Sequence, residues 1–321
     1  MYTTSLLHCQ KDKFSLPDDT TYLNCSYMAP LMKSVEEAGI RGLRLKQAPQ
    51  HIGHHEFFGE VEELRAAYAR LISVDDPLRI VVIPSVSYGM AIVARNLKLN
   101  PGDNIVVVGE QFPSNVYPWQ KLAKQQQAHI KTVHAPDVKK GRGKLWNEQL
   151  LEAIDEQTRL VAIANVHWSD GTRFDLRAVR ERTRAVGALL VIDGTQSVGA
   201  LPLDVSEIQP DALICAGYKW LMGPYAISLA YLGPYFDDGE PLEEGWISRY
   251  NSEDFTKLVN YQERYQPGAL RYEMGERSNF ILVPMMLQAL QELNYWGVEN
   301  IQAYCQHLAE PAIEELRQLG F

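Results

Sequence analysis

The sequence has no basic block and no basic half. Its 31 lysines and arginines face 40 acidic residues, giving a net charge of −9. That balance argues against a nucleic-acid partner, because the positive footprint that captures phosphates is missing. No apolar run approaches the roughly 18 residues that a membrane-spanning helix needs, so no membrane partner is expected. The opening MYTTSLLHCQKDKF lacks the charged-then-apolar order of a secretory signal. Cysteine is scarce: Cys9, Cys25, Cys215 and Cys305 are scattered, with no C-x-x-C spacing. Free thiols in a reducing cytoplasm fit that usage better than a disulfide framework or a zinc site. No G-x-G-x-x-G turn follows any apolar run, which removes the fingerprint of a nicotinamide dehydrogenase. There is no internal repeat and no low-complexity stretch.

What is present reads as an ordinary globular chain, 46% hydrophobic and 22% charged over 321 residues. That length accommodates one large domain and part of a second. Apolar runs occur at Ile80–Ile83, Ile105–Val108, Leu160–Ala164, Leu189–Ile192, Ala212–Ala216 and Ile227–Leu232. Most are continuous rather than alternating, as strands covered on both faces are. Helical patterns fall between them near 88–97, 116–127, 148–154 and 176–186. The expected fold class is therefore α/β, a mainly parallel sheet with helices on both faces. Residues 1–33 read as an irregular arm, with Tyr22-Leu23-Asn24 a short extended piece. Ser34-Val35-Glu36-Glu37 has capping-box spacing and predicts a helix to about Lys46. A second helix is expected over 56–72, and two more over 284–296 and 298–319. Residues 34–296 would form the large domain. Residues 297–321 would start a small terminal domain that reads as incomplete.

Two apolar runs end on unusual chemistry within VIDGTQSVGALPLDVSEIQPDALICAGYKWLMGP, residues 191–224. One stops at Asp193 and the other runs into Gly217-Tyr218-Lys219. In open α/β sheets, ligands bind beyond the carboxyl ends of the strands. A lysine close to buried strands is costly unless paired, neutral or covalently used. Spacing leaves two readings open, a cofactor-holding Lys219 tuned by Asp193 or a buried ion pair. Ser85-Val86-Ser87-Tyr88-Gly89 precedes a helix, where backbone N–H groups receive an anion, although Ser87 by itself reads first as a helix cap. Phe112 offers an aromatic face after the second run, and Asn165 and His167 add polar groups after the third. His167 by itself reads as a satisfied structural histidine. His51, His54 and His55 lack acidic or cysteine companions and read as a polar loop, not a metal site.

With those loops in order, DGTQSVGALPLDV followed by PDALICAGYKWLMGP resembles the cofactor-lysine region of the class V aminotransferases, pyridoxal-phosphate enzymes of fold type I. The resemblance runs from about Tyr22 to Trp296, and the family includes cysteine desulfurases, kynureninases and isopenicillin-epimerase-like proteins. It implies an aspartate-aminotransferase-like fold with pyridoxal 5'-phosphate as cofactor. The enzyme would act on an amino acid or small amine through an external aldimine, as a transaminase, epimerase or lyase. Lys219 would form the Schiff base and carry the substrate α-proton, while Asp193 would face the pyridine nitrogen. Gln196 would sit near the ring oxygen, and Phe112 would stack on the ring. Val86, Ser87 and Tyr218 would hold the phosphate. The Gly275–Asn279 loop would reach a partner subunit's phosphate, implying a homodimer.

The departures from the family pattern are specific. Desulfurases resemble one another in a His-Lys pair and a histidine on the ring, where this chain has Tyr218-Lys219 and Phe112. A phenylalanine cannot do acid/base work. Many relatives place an asparagine against the ring oxygen in the loop that here carries Trp168, and Asn165 lies three residues earlier. Trp246, Arg271 and Arg277 are the candidates for contact with substrate, since arginine binds a carboxylate bidentately. The alternatives are a cysteine desulfurase whose nucleophile lies beyond residue 321, and a non-catalytic protein that kept the fold.

Overall fold

A computed structural model describes residues 7–320. Seven strands form one sheet: β1 (Ile80–Ile83), β2 (Asn104–Val108), β3 (His129–Val133), β4 (Thr158–Ala164), β5 (Leu189–Asp193), β6 (Ala212–Ala216) and β7 (Ser228–Leu232). Their spatial order is β1-β7-β6-β5-β4-β2-β3. Strand β7 runs antiparallel to both its neighbours, and the remaining pairings are parallel.

The continuous apolar runs are buried on both faces, so alternate residues feed two separate cores. Ile80, Val82, Val106, Ile163, Ile192 and Leu213 join one cluster. It is closed by α1 (Lys33–Leu45), α2 (Glu60–Leu71), α5 (Arg142–Ala153), α6 (Leu176–Val186), the short α7 (Val205–Ile208) and α8 (Leu282–Trp296). Val81, Ile83, Val107, Ala162, Val191 and Ile214 join the other, which is covered by α3 (Val86–Asn96) and α4 (Tyr117–Gln126). A last helix, α9 (Val298–Gln318), buries only Val298 and leaves Leu308, Ile313 and Leu316 exposed.

Register then fixes the site. Ala164 pairs with Asp193, Asp193 with Ile214, Ala216 with Ser228, and Ser228 with Ile83. The carboxyl ends of β1, β4, β5 and β6 therefore lie along one edge, together with the start of β7. The loops after each strand open there.

The structure departs from the sequence expectation at four places. Strand β3 was not expected: it is an edge strand, and His129, Lys131 and Thr132 break its apolar signal. Ser34 does not cap α1, whose N-cap is Met32; its hydroxyl turns to Glu292. Tyr22-Leu23-Asn24 forms no strand; the Tyr22 hydroxyl donates to the Asn24 and Met28 carbonyls, folding the arm on itself. His55 to Gly59 is a wide helical turn leading into α2, and His54 packs on Phe58 and Phe255.

Candidate active site

Asp193 is the last residue of β5 and is 6% exposed. The Thr195 backbone N–H donates to its Oδ1 at 3.0 Å, and Thr195 Oγ1 accepts from the Ala216 N–H at 3.2 Å. Thr195 thus joins the ends of β5 and β6. Lys219 follows β6 and is 7% exposed. Its loop closes on itself through Gly217 N–H to Ile227 O at 3.1 Å and Gly223 N–H to Gly217 O at 2.9 Å. Met222 and Ala226 take left-handed backbone there, with φ of 54° and 65°. Such conformations cost roughly 1–3 kcal/mol each and persist only where surrounding structure enforces them.

No ion-pair contact within 4.0 Å joins Asp193 to Lys219, and among the described residues Nζ has no hydrogen-bond partner. The structure therefore does not support the reading as a buried ion pair. Burial pushes the Lys219 amine below the ordinary lysine value, and the Asp193 charge opposes that shift. Burial pushes Asp193 up, against the hydrogen bonds from Thr195 and the charge of Lys219. Both groups are taken out of water and neither is neutralised by direct contact, an arrangement found at functional sites.

Ser85, not Ser87, caps α3: its hydroxyl accepts from Tyr88 N–H at 3.2 Å. That frees Ser87, whose Oγ lies 2.9 Å from Ser114 Oγ. By position, the Val86 and Ser87 N–H groups have no intrahelical partner. Phe112 stands 5.7 Å, ring centre to Nζ, from Lys219, and the Tyr218 ring 5.9 Å. These groups line one cavity of about 330 Å³, with Asp193 and Lys219 in its wall. The size falls at the lower end for small-molecule sites.

The remaining candidates are placed unevenly. Gln196 lines the cavity, but its amide is engaged by protein. Nε2 donates to the Ser26 carbonyl at 2.9 Å, and Oε1 accepts from Trp220 Nε1 at 3.1 Å. The Ala29 N–H also donates to Tyr218 O, so the arm is tied to the site twice. Asn165 lies outside the cavity. Ala164 and Val166 face it, so strand alternation sends Asn165 to a separate groove of about 800 Å³, shared with Arg173 and Leu201.

The three candidates for substrate contact are also outside the cavity. Trp246 lies in another groove of about 470 Å³, packed on Phe57 and Phe255. Arg271 donates to the Gly239 carbonyl and stacks on Tyr265. Arg277 is buried against Glu273, which also pairs with Arg65, and it lies over the Phe58 ring. Its charge is spent within the core. In the Gly275–Asn279 loop, the Gly275 N–H donates to Glu243, Ser278 donates to the Phe57 carbonyl, and Asn279 Oδ1 accepts from the Ile281 and Leu282 N–H groups.

Thr195, Trp168 and Tyr225 are lining residues that the sequence reading did not assign to the site. The loop positions of Trp168 and Tyr225, just beyond strand ends, were the available signal. His167 is buried and satisfied, its Nε2 lying 3.1 Å from the Gly109 carbonyl and its Nδ1 beside Ser169 and Asp170.

A family model described as aminotransferase class-V matches residues 41–321. An uncharacterised aminotransferase of Bacillus subtilis is 27% identical over 81% of this chain and 66% of its own length. A cysteine desulfurase of Pectobacterium atrosepticum is 26% identical over 93% of this chain and 72% of its own. Among solved structures, a mutant of the enzyme C-DES with glycine covalently linked to its PLP cofactor superposes with a TM-score of 0.82 at 22% identity. That match covers 94% of this chain and 78% of the other. The Escherichia coli cysteine desulfurase gives 0.80 at 22% identity, covering 95% and 76%. The chain thus spans about two thirds to three quarters of the length of these proteins.

Proposed function

The chain belongs to the aminotransferase class-V family, a family of pyridoxal 5'-phosphate enzymes, and from that premise we propose that it acts on an amino acid or small amine at the cavity beside Lys219. The observation that carries this is the buried Lys219 amine held near Phe112, with an Asp193 carboxylate in the same cavity that makes no ion pair within 4.0 Å.

The residues suit the cofactor. Val86 and Ser87 offer backbone N–H groups at a helix N-terminus, and Ser87 adds a hydroxyl no longer used as a cap, so together they would hold the phosphate. The Tyr218 hydroxyl would join them. Phe112 gives the ring a flat apolar face. Asp193 is a buried acid able to keep a ring nitrogen protonated, and Lys219 supplies the covalent tether. When bound, the cofactor withdraws electrons from the substrate α-carbon. Lys219 would take the α-proton on Nζ and return it, its burial favouring the neutral amine that such transfer needs. Asp193, positioned by the Thr195 N–H, would hold its charge toward the ring nitrogen. A proton returned to the same carbon on its opposite face would make the enzyme an epimerase, one delivered to a different carbon a transaminase, and loss of a β-substituent in place of reprotonation a lyase.

A second reading, cysteine desulfuration, is favoured by the identity with the Pectobacterium desulfurase. Against it stands Phe112, which cannot do the acid/base work of a histidine, while Tyr218 stands where desulfurases have histidine before the lysine. Sulfide release from cysteine with alanine, not pyruvate, as the other product would establish it. The wider proposal is a cytoplasmic homodimer, with 34–296 as the cofactor domain, 1–33 as its arm and 297–321 as a separate terminal segment. Among the described residues, no helix is long and apolar enough to cross a membrane.

Purified protein should show a visible absorption band that borohydride bleaches and Lys219→Ala abolishes. A colourless protein that takes up no added pyridoxal phosphate would sink the proposal.

A further inference from the structure

The floor of the cavity is set by register across β4, β5, β6 and β7. Ala164 pairs with Asp193 and Asp193 with Ile214, while Ala216, two residues beyond Ile214, pairs with Ser228. Paired residues and alternate residues share a face, so all of these point to one side of the sheet. Ala164, Asp193, Ala216 and Ser228 line the cavity from that side. Two of the four are alanines, and the polar groups are Asp193 and Ser228. Ser228 opens β7 and is 2% exposed, and among the described residues its hydroxyl has no hydrogen-bond partner. A hydroxyl buried without a partner costs free energy that an incoming acceptor restores.

The neighbours of Ser228 define that acceptor. Ser228 pairs with Ile83, the last residue of β1, which leads through Pro84 and Ser85 into α3. Ile83 belongs to the core beneath α3, so Ser228 points toward the helix as well. The helix itself passes over β7. A Cβ on Gly89 would meet Ile214 at 2.8 Å and Ile83 at 2.9 Å, on the two strands that flank β7. The first turn of α3, where N–H groups lack intrahelical partners, therefore lies above the start of β7 and Ser228. A second hydroxyl reaches the same turn from the loop after β2. Ser114 lines the cavity, and its Oγ lies 2.9 Å from that of Ser87. The pair carries two O–H hydrogens and uses one between them, so one is left to donate outward.

We infer that Ser228 and Ser114 are further ligands of the cofactor's phosphate, Ser228 from the cavity floor and Ser114 in its pair with Ser87. The inference rests on the cofactor reading given above. The N-terminus of α3 draws the anion, and the two hydroxyls donate to phosphate oxygens that its N–H groups leave free. Asp193, two strands away from Ser228, meets the opposite end of the same molecule.

The test is titration of the cofactor-free full chain with pyridoxal phosphate and, separately, with pyridoxal, which keeps the ring and aldehyde but has no phosphate. The visible band reports both. Ser228→Ala and Ser114→Ala should each weaken pyridoxal phosphate about tenfold, the size of one hydrogen bond to a charged group, and leave pyridoxal unchanged. A variant that binds pyridoxal phosphate as tightly as the parent overturns the inference for its residue. Equal weakening of both ligands overturns it too, since the hydroxyl would then support the fold and not the phosphate. Parent protein that folds but binds neither ligand overturns the cofactor reading, and this inference with it.

Discussion

Lys219 shows how one side chain can be both buried and useful. Its ammonium loses water on entering the cavity and gains no ion-pair partner within 4.0 Å, so the neutral form is favoured. Asp193 works the other way, its charge stabilising the ammonium. The signs can be separated by measuring how fast cofactor-free protein captures pyridoxal phosphate as pH varies. Only the neutral amine attacks an aldehyde, so capture rises as pH climbs through the Lys219 pKa. Burial places that midpoint below the ordinary lysine value of about 10.4. Asp193→Asn removes the opposing charge and should move the midpoint lower still. A midpoint at the ordinary value, unchanged in the variant, would show that neither burial nor Asp193 governs the amine.

At the level of elements, the lysine loop depends on a close approach at Gly217. A Cβ there would meet the Ile227 carbonyl at 2.5 Å and Met286 Sδ at 3.1 Å. Backbone cannot yield cheaply, so Gly217→Ala should destabilise the protein by about 1–3 kcal/mol and weaken cofactor retention. At Gly223 the tightest contact is the Met286 thioether, the flexible end of a side chain, so Gly223→Ala should be milder. Thermal melts and the visible band measure both variants, and a harmless Gly217→Ala would mean that the loop is not held by this contact. The same elements show what the sequence could reveal. Strands β4, β5 and β6 were legible because burial on both faces demands continuous apolar residues, and their ends pointed to Asp193 and Lys219. Edge strand β3 was not, since one covered side tolerates His129 and Lys131. Ser85 and Ser87 occupy one loop, and spacing does not say which hydroxyl turns back to cap. Gln196 reaches a carbonyl 170 residues away in the chain, a pairing no local pattern contains. For Arg277, the Glu273 four residues earlier was a readable partner, but burial with Arg65 depended on the fold.

At the scale of the whole molecule, the surface around residues 246–261 is costly for a monomer. Trp246, Tyr250, Phe255 and Leu258 are exposed there, with Val259 80% and Tyr261 89% exposed. Apolar groups concentrated in this way mark interaction surfaces more often than solvent-facing ones. The patch adjoins the Gly275–Asn279 loop, since Trp246 shares a groove with Glu276, Ser278 and Asn279. A second copy seated on it would bury the rings and bring that loop to the boundary between subunits. Sedimentation of the purified protein at micromolar concentration should then give twice the monomer mass. Val259→Asp combined with Tyr261→Glu places two unpaired charges where apolar contact is expected, a cost of several kcal/mol if they are fully desolvated. The double variant should sediment as a monomer and retain less cofactor, because the loop would no longer face a neighbour. Circular dichroism identical to the parent protein would confirm that folding survives. A parent protein that already sediments as a monomer would rule out the dimer, and a dimer unaffected by the two charges would place its interface elsewhere.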